Sequence, residues 1–206
     1  IQALIISLKH KQYRLLEIVS VAVKALIEGE LLQSEKARKL DIEEDIYFEI
    51  IRQKTASLIA AGCAAGAAST TEDTELIEKM RLFGEKIGIA FQIKDDLFDY
   101  GTDDVGKPLG IDIKEKKMTL PLIYALNNAT RSVKNRVIKI VKKHNENPEK
   151  VNEVIEFVRG SGGLEYAEKV MLEYRVEAFE ILHTFPPSPA RESLEDLVNF
   201  STDRKK

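Results

Sequence analysis

Residues 91–99 read Phe-Gln-Ile-Lys-Asp-Asp-Leu-Phe-Asp, three acids set into an apolar segment. On a helix turning about 100° per residue, Gln92, Asp95 and Asp99 fall within roughly 60° of one another, with Asp96 at the edge of their face. Ile87, Phe91 and Phe98 form an apolar stripe on one flank, and Ile89, Ile93 and Leu97 form a second on the other. A helix that is apolar on two sides is a buried one, and buried carboxylates require a cationic partner. The placement also breaks a local rule. Tyr100-Gly101 marks the helix end, so the acids crowd the last turn, where the macrodipole favours cations. Two plainer readings stand beside a functional one. A solvated acidic patch conflicts with the two apolar flanks, whereas a salt-bridge cluster has Lys94, Lys107 and Lys117 to draw on.

Asp95, Asp96 and Asp99 form an Asp-Asp-x-x-Asp set of hard oxygen donors, which suits Mg2+ better than zinc or copper. Mg2+ takes one or two carboxylates and completes its shell with water and phosphate oxygens, so the implied partner is a phosphorylated ligand. The loop that follows, residues 102–118, supplies lysines. It contains Gly106-Lys-Pro-Leu-Gly-Ile-Asp112 and leads into Lys116-Lys-Met-Thr119. Lysine binds phosphate as a point charge. Lys54-Thr55 adds a cation and a hydroxyl to an otherwise apolar run. Each lysine alone reads as a solvated surface charge; together, around one acidic face, they read as a diphosphate cradle.

The elements that must position these groups are helices. Apolar positions recur at a helical period throughout, and strand-like alternation bounded by turn signals is absent from the sequence. Tyr13 to Lys39 is a strongly amphipathic run. Asp41-Ile-Glu-Glu44 fits a cap opening a helix to about Ala68, whose second half is rich in Ala and Gly and so permits close approach of a neighbour. Thr70 or Thr71 caps a helix over about 72–100, in which Gly84 and Gly88 share the side of the acids. Thr119 caps the next, with Pro121 in its first turn. Helices over 133–144, from Asn147-Pro148 to Gly160, and over 164–185 follow. A last helix begins at Ser188-Pro189 and ends in Arg204-Lys-Lys206, which reads as a frayed basic tail, with closure over a phosphate ligand as the alternative. The fold class is all-α, and residues 1–206 form a single domain without repeats or linkers.

The whole-chain balance excludes other classes. The 206 residues carry a net charge of −3 with both signs interspersed, contain no Trp, and are 7% aromatic, which gives neither a basic footprint nor a stacking surface for nucleic acid. The one cysteine, Cys63, lies among Ala and Gly and reads as a small buried hydrophobe in a reducing compartment. No apolar run is long enough to span a bilayer.

Taken together, Phe91-Gln-x-x-Asp-Asp-x-x-Asp99, Gly106-Lys-Pro-x-Gly-x-Asp112 and Lys117-x-Thr-Leu-Pro121 resemble the second aspartate-rich region of trans-type isoprenyl (polyprenyl) diphosphate synthases. Lys54-Thr55 resembles the Lys-Thr pair of that family, and Gly29-Glu-Leu-Leu-Gln33 resembles its upstream helix motif. The resemblance runs from about residue 10 to the C-terminus and is strongest over 84–124. It implies a terpenoid-synthase-type helical bundle around a central cavity, usually a homodimer, here without its N-terminal helices. It also implies a cytoplasmic prenyltransferase that joins an allylic diphosphate to isopentenyl diphosphate with Mg2+, touching membranes only peripherally through its product. By residue match, Asp95 is implied as a direct metal ligand, with Asp96 and Asp99 as ligands or supports. Lys54, Lys107 and Lys117 are implied to hold diphosphate, assisted by Thr55 and Gln92.

One departure from the family pattern matters. The family carries a first Asp-Asp-x-x-Asp with nearby arginines and a basic site for isopentenyl diphosphate, and none of these stands in the sequence. Asp103-Asp104 lacks the third acid. The expectation is therefore the C-terminal part of a longer enzyme, inactive alone. A terpene cyclase of the same fold is disfavoured by the Gly-Lys-Pro loop. A non-catalytic subunit of a heteromeric synthase is disfavoured by the retained acids and lysines, but the missing first motif keeps it as the alternative.

Overall fold

The computed structural model describes residues 2–40, 43–101 and 109–204, together with their side chains except those of Ala3, Arg38 and Lys39. In chain order the helices are α1 (Gln2–Lys9), α2 (Tyr13–Lys39), α3 (Glu44–Ile51), a π turn (Arg52–Ala56), α4 (Ser57–Ala68), α5 (Thr74–Phe98), α6 (Ile111–Lys114), α7 (Leu120–Asn127), α8 (Arg131–Lys143), α9 (Pro148–Arg159), α10 (Gly163–Leu182) and α11 (Pro189–Asp203). There is no strand among the described residues, so the all-α expectation holds. The sequence pattern places α2 at its observed ends, and α9 and α11 begin where their Pro-bearing caps predict. Asn147 Oδ1 accepts from the Lys150 amide at 3.1 Å, and Ser188 Oγ from the Arg191 amide at 3.1 Å.

Helix α5 is the axis of the bundle. It packs along α4 on one side and α10 on the other, and touches α3, α7 and α11. Ile89 and Ile93 are fully buried on it, as its double apolar stripe predicts, each worth roughly 1.5–3 kcal/mol of burial. They join a large core with Tyr47, Ile50, Ile51, Tyr100, Leu120 and Ile123. A second cluster, of Phe83, Ile87, Ala178, Leu182 and Val198, seats α11 against α5 and α10. The contact of α5 with the π turn and α4 depends on missing side chains. A Cβ on Gly88 would lie 2.5 Å from Ala56 Cα, and one on Gly84 would lie 2.8 Å from Ala60 Cα.

Three local readings are corrected. Residues 44–68 are interrupted by the π turn at Arg52–Ala56, where the Ser57 amide reaches back to the Arg52 carbonyl. Helix α5 is capped by Asp73, whose carboxylate accepts from Glu75 and Leu76 amides at 2.9 and 3.2 Å, and not by Thr70 or Thr71. Thr71 instead accepts from the Asp73 amide and fixes the cap itself. Thr119 does hold the N-cap position of α7, but its hydroxyl pairs with the buried Tyr100 hydroxyl at 2.7 Å. Asp41, the expected cap of α3, lies outside the described residues; the observed N-cap position is Glu43.

Candidate active site

Helices α2, α5 and α6, the π turn and the segment after α6 bring the predicted polar residues to one cavity of about 190 Å³, lined by Gln33, Lys54, Thr55, Gln92, Asp96, Asp112 and Lys117 among others. Two adjacent residues of the π turn serve it, Lys54 directed toward α2 and Thr55 toward α5. Lys54 Nζ donates to Gln33 Oε1 at 2.7 Å and pairs with Glu30 at 3.0 Å. Thr55 Oγ1 donates to Gln92 Oε1 at 2.7 Å. Gly29 permits the approach of α2, since a Cβ there would lie 2.9 Å from Gln53 Cβ and 3.0 Å from the Lys54 nitrogen. In Gly29-Glu-Leu-Leu-Gln33, then, Gly29 allows the contact, Glu30 supplies charge and Gln33 orients the Lys54 ammonium.

The acids of α5 meet three different partners. Asp96 accepts from the Tyr47 hydroxyl at 2.8 Å and from Gln92 Nε2 at 2.9 Å, closing a chain from Thr55 through Gln92 to Tyr47. Asp99 accepts from the Ile111 and Asp112 amides at 2.8 and 3.1 Å and so ties the returning loop to the helix end. Gly110, at φ 73°, makes that return possible in a region L-residues avoid. Asp95 points elsewhere and pairs with Arg204. The helix terminus is itself neutralised: Arg159 donates Nε to the Tyr100 carbonyl at 2.9 Å and Nη2 to the Gly101 carbonyl at 2.7 Å.

Negative charge is in surplus here. Burial, then Asp112, pushes the Asp96 carboxyl up to about 7 against the opposing bonds from Gln92 and Tyr47. Burial and Asp112 likewise raise Asp99 to about 6. Burial, then Asp96, holds the Tyr47 phenol above its ordinary range, so it remains a donor. Burial draws the Lys117 ammonium down, but Glu115 and Asp112 outweigh it and keep Lys117 charged. A carboxyl raised in the folded state costs stability as pH climbs from its unfolded to its folded value, because the native protein must ionise a buried group. Metal-free protein is therefore expected to lose about 2–3 kcal/mol through Asp96 between roughly pH 5 and pH 8. Urea midpoints at both pH values, in chelator, should show this loss in the parent and a flatter profile in Asp96→Asn. Parallel profiles would count against a buried, proton-holding Asp96.

Of the candidate residues in the sequence, Lys54, Thr55, Gln92, Asp96 and Lys117 converge on the cavity. Asp95 and Asp99 do not line it, and Lys107 lies outside the described residues. Helical projection groups Asp99 and Asp95 with Gln92 and sets Asp96 at the edge; the packing of α3 on α5 selects Gln92 and Asp96 instead. Among the described residues no three His, Cys, Asp or Glu side chains form a metal-holding group. The donor chemistry still fits Mg2+, which needs only one or two carboxylates. Asp95 is partly exposed with a single cationic partner, while both oxygens of Asp96 and of Asp99 are already taken. Asp95 is thus the candidate ligand, and Asp96 and Asp99 are candidate supports. Tyr47 and Arg159 are not legible in the sequence as site residues, and Arg204 is legible there only as the alternative to a frayed tail. Tyr47 stands two turns before Lys54, a spacing that puts both on one face, but an apolar setting disguises it as core. The free tail expected at Arg204 is corrected by its place on Asp95; Lys205 and Lys206 lie outside the described residues. Cys63 is partly buried, and burial raises its thiol, in keeping with a packing role.

Comparison with known proteins supplies the family. Residues 1–158 match the polyprenyl synthetase family model. A short chain isoprenyl diphosphate synthase of Methanothermobacter thermautotrophicus is 38% identical over 190 residues, covering 91% of this chain and 58% of that protein. The crystal structure of geranylgeranyl pyrophosphate synthase from Bacteroides thetaiotaomicron superposes with a TM-score of 0.90 at 38% identity, covering 98% of this chain and 67% of its own. Polyprenyl synthase from Caulobacter crescentus, complexed with calcium and isoprenyl diphosphate, gives 0.87 at 33% identity, covering 94% and 60%. The chain spans 58% of that archaeal relative's length and 60–67% of these two structures. With the all-α bundle, the Lys54-Thr55 π turn and the acid-bearing end of α5 in place, the chain belongs to the polyprenyl synthetase family.

Proposed function

We propose that this chain supplies the second diphosphate-binding side of a chain-elongating prenyltransferase, which condenses an allylic diphosphate with isopentenyl diphosphate. The observation that carries the reading is the convergence of Lys54 and Thr55 from the π turn, Gln92 and Asp96 from α5, and Lys117 from the segment after α6 on one small polar cavity. A calcium and isoprenyl diphosphate complex of a relative supports it by analogy. In such a condensation the allylic carbon–oxygen bond breaks and the electron pair leaves with the diphosphate. The double bond of isopentenyl diphosphate then attacks the cation, and a proton is lost.

Each residue has a part in that scheme. Lys54 and Lys117 place ammonium groups where charge develops on the departing diphosphate, and the resemblance assigns the same part to Lys107, which lies outside the described residues. Gln33 and Glu30 hold Lys54 Nζ in advance, so little reorganisation is needed at the moment of reaction. Thr55 and Gln92 offer a hydroxyl and an amide beside it. Ile50, Ile51 and Met118 wall the same cavity with apolar surface that keeps water from a cation. Mg2+, held through Asp95, would supply Lewis-acid stabilisation of the leaving oxygens. The remainder of the reading is a single all-α domain acting as a cytoplasmic homodimer, with peripheral membrane contact through its product. One Asp-Asp-x-x-Asp stands in the 206 residues, so the chain by itself is expected to bind diphosphate without turning it over.

The experiment is Mg2+-dependent incorporation of labelled isopentenyl diphosphate into allylic product, with the first aspartate-rich motif supplied. Lys54→Ala should lower kcat/KM for the allylic substrate on the order of 10²-fold, as for loss of one charged transition-state donor. An unchanged value would remove Lys54 from the diphosphate site.

A further inference from the structure

Arg204 follows the last turn of α11 and lies on the acid-bearing end of α5. Its guanidinium pairs with Asp95, donates to the Phe91 carbonyl at 3.4 Å, and stands 4.0 Å from the Phe91 ring centroid and 5.4 Å from that of Phe98. The Arg204 side chain is 14% exposed and that of Asp95 36%. The helix before it is held independently. Val198 is buried in the second core cluster, and Arg175 donates to Asp203 Oδ1 at 2.6 Å and Asn199 Oδ1 at 2.5 Å. Arg204 itself has left the helix, at φ −56° and ψ 139°. Apart from its Nε bond to the Ser201 carbonyl at 3.3 Å, its side chain can therefore leave Asp95 without loosening α11.

We infer that Arg204 is a built-in counter-cation for Asp95, one that a divalent metal must displace before Asp95 serves as a ligand. The inference rests on the proposed role of Asp95. A carboxylate in the last turn of a helix faces the negative end of the dipole and is costly to leave alone. A planar, weakly hydrated guanidinium between two aromatic rings neutralises it cheaply. A dication at the free carboxylate oxygen would sit against that guanidinium, where like charges repel strongly at low effective dielectric. The pair thus holds down metal affinity in the ligand-free chain.

Mn2+ is the probe, with the free ion counted by electron paramagnetic resonance in titrations of the 206-residue chain. Arg204→Gln is expected to lower the Mn2+ Kd about tenfold, the scale of removing a charge-assisted competitor. Arg204→Lys should fall between, since it keeps the charge but loses the planar stack. Asp95→Asn should abolish the site in both backgrounds. An equal or weaker affinity in Arg204→Gln overturns the counter-cation role. Binding that ignores Asp95→Asn, or no Mn2+ binding in any variant, overturns instead the metal assignment beneath it, so the two failures are distinguishable.

Discussion

Asp95→Asn is expected to reduce Mg2+-dependent condensation on the order of 10²–10³-fold, the scale of losing one preorganised electrostatic contact to a developing charge. The substitution keeps size and shape and removes only the charge. An amide oxygen at this position can still accept from Arg204, and that guanidinium keeps the Phe91 carbonyl and ring, so stability should change by about 1 kcal/mol. Steady-state rates across a Mg2+ series, with the first aspartate-rich motif supplied, separate the effects: the Mg2+ requirement should rise and kcat should fall while the melting temperature holds. A rate loss matched by a collapse in melting temperature would point to a structural role. Asp95→Asn and Arg204→Gln should also move metal affinity in opposite directions, which simple loss of a salt bridge does not predict.

Gly88→Ile should be the most disruptive single change in the bundle outside the polar residues. Even its Cβ would lie 2.5 Å from Ala56 Cα and 2.8 Å from Ala56 Cβ. Neither is the far end of a flexible side chain, so the π turn and the start of α4 must move away from α5. Overpacking of this kind costs about 3 kcal/mol or more, which for a chain of this size lowers the melting temperature by roughly 6–12 °C. The displaced segment carries Thr55, so its 2.7 Å bond to Gln92 should open as well. Gly66→Ala is the internal control. A Cβ there meets nothing within 4 Å, and replacing a helical glycine in open space should stabilise by up to about 1 kcal/mol. Thermal melts of both variants test the pair; a Gly88→Ile protein as stable as the parent would mean that the helices do not pack this closely.

What could be read before the fold was known follows from which forces are local. Helix periods, the Asn147-Pro148 and Ser188-Pro189 caps, and burial of α5 are consequences of neighbouring residues, so the pattern carries them. The π turn is not local. It lies where α2 approaches closely through Gly29 at Gln53 and Lys54, and nothing in Arg52–Ala56 marks a change of helical pitch. The same limit applies to the acids. Helical projection groups Asp95 with Asp99, but the phenol of Tyr47, arriving from another helix, decides that Asp96 faces the cavity. Arg204 is the clearest case: its partner lies 109 residues away, and a basic C-terminal end looks solvated until a carboxylate is found beneath it.

If the α5 terminus and the Lys54 turn together bind diphosphate through a divalent metal, isothermal titration of inorganic diphosphate into the 206-residue chain should show it. A binding heat is expected that appears only when Mg2+ is present, disappears in Asp95→Asn and weakens in Lys54→Ala. Equal binding without Mg2+, or in Asp95→Asn, would contradict a metal-bridged diphosphate site at this helix end.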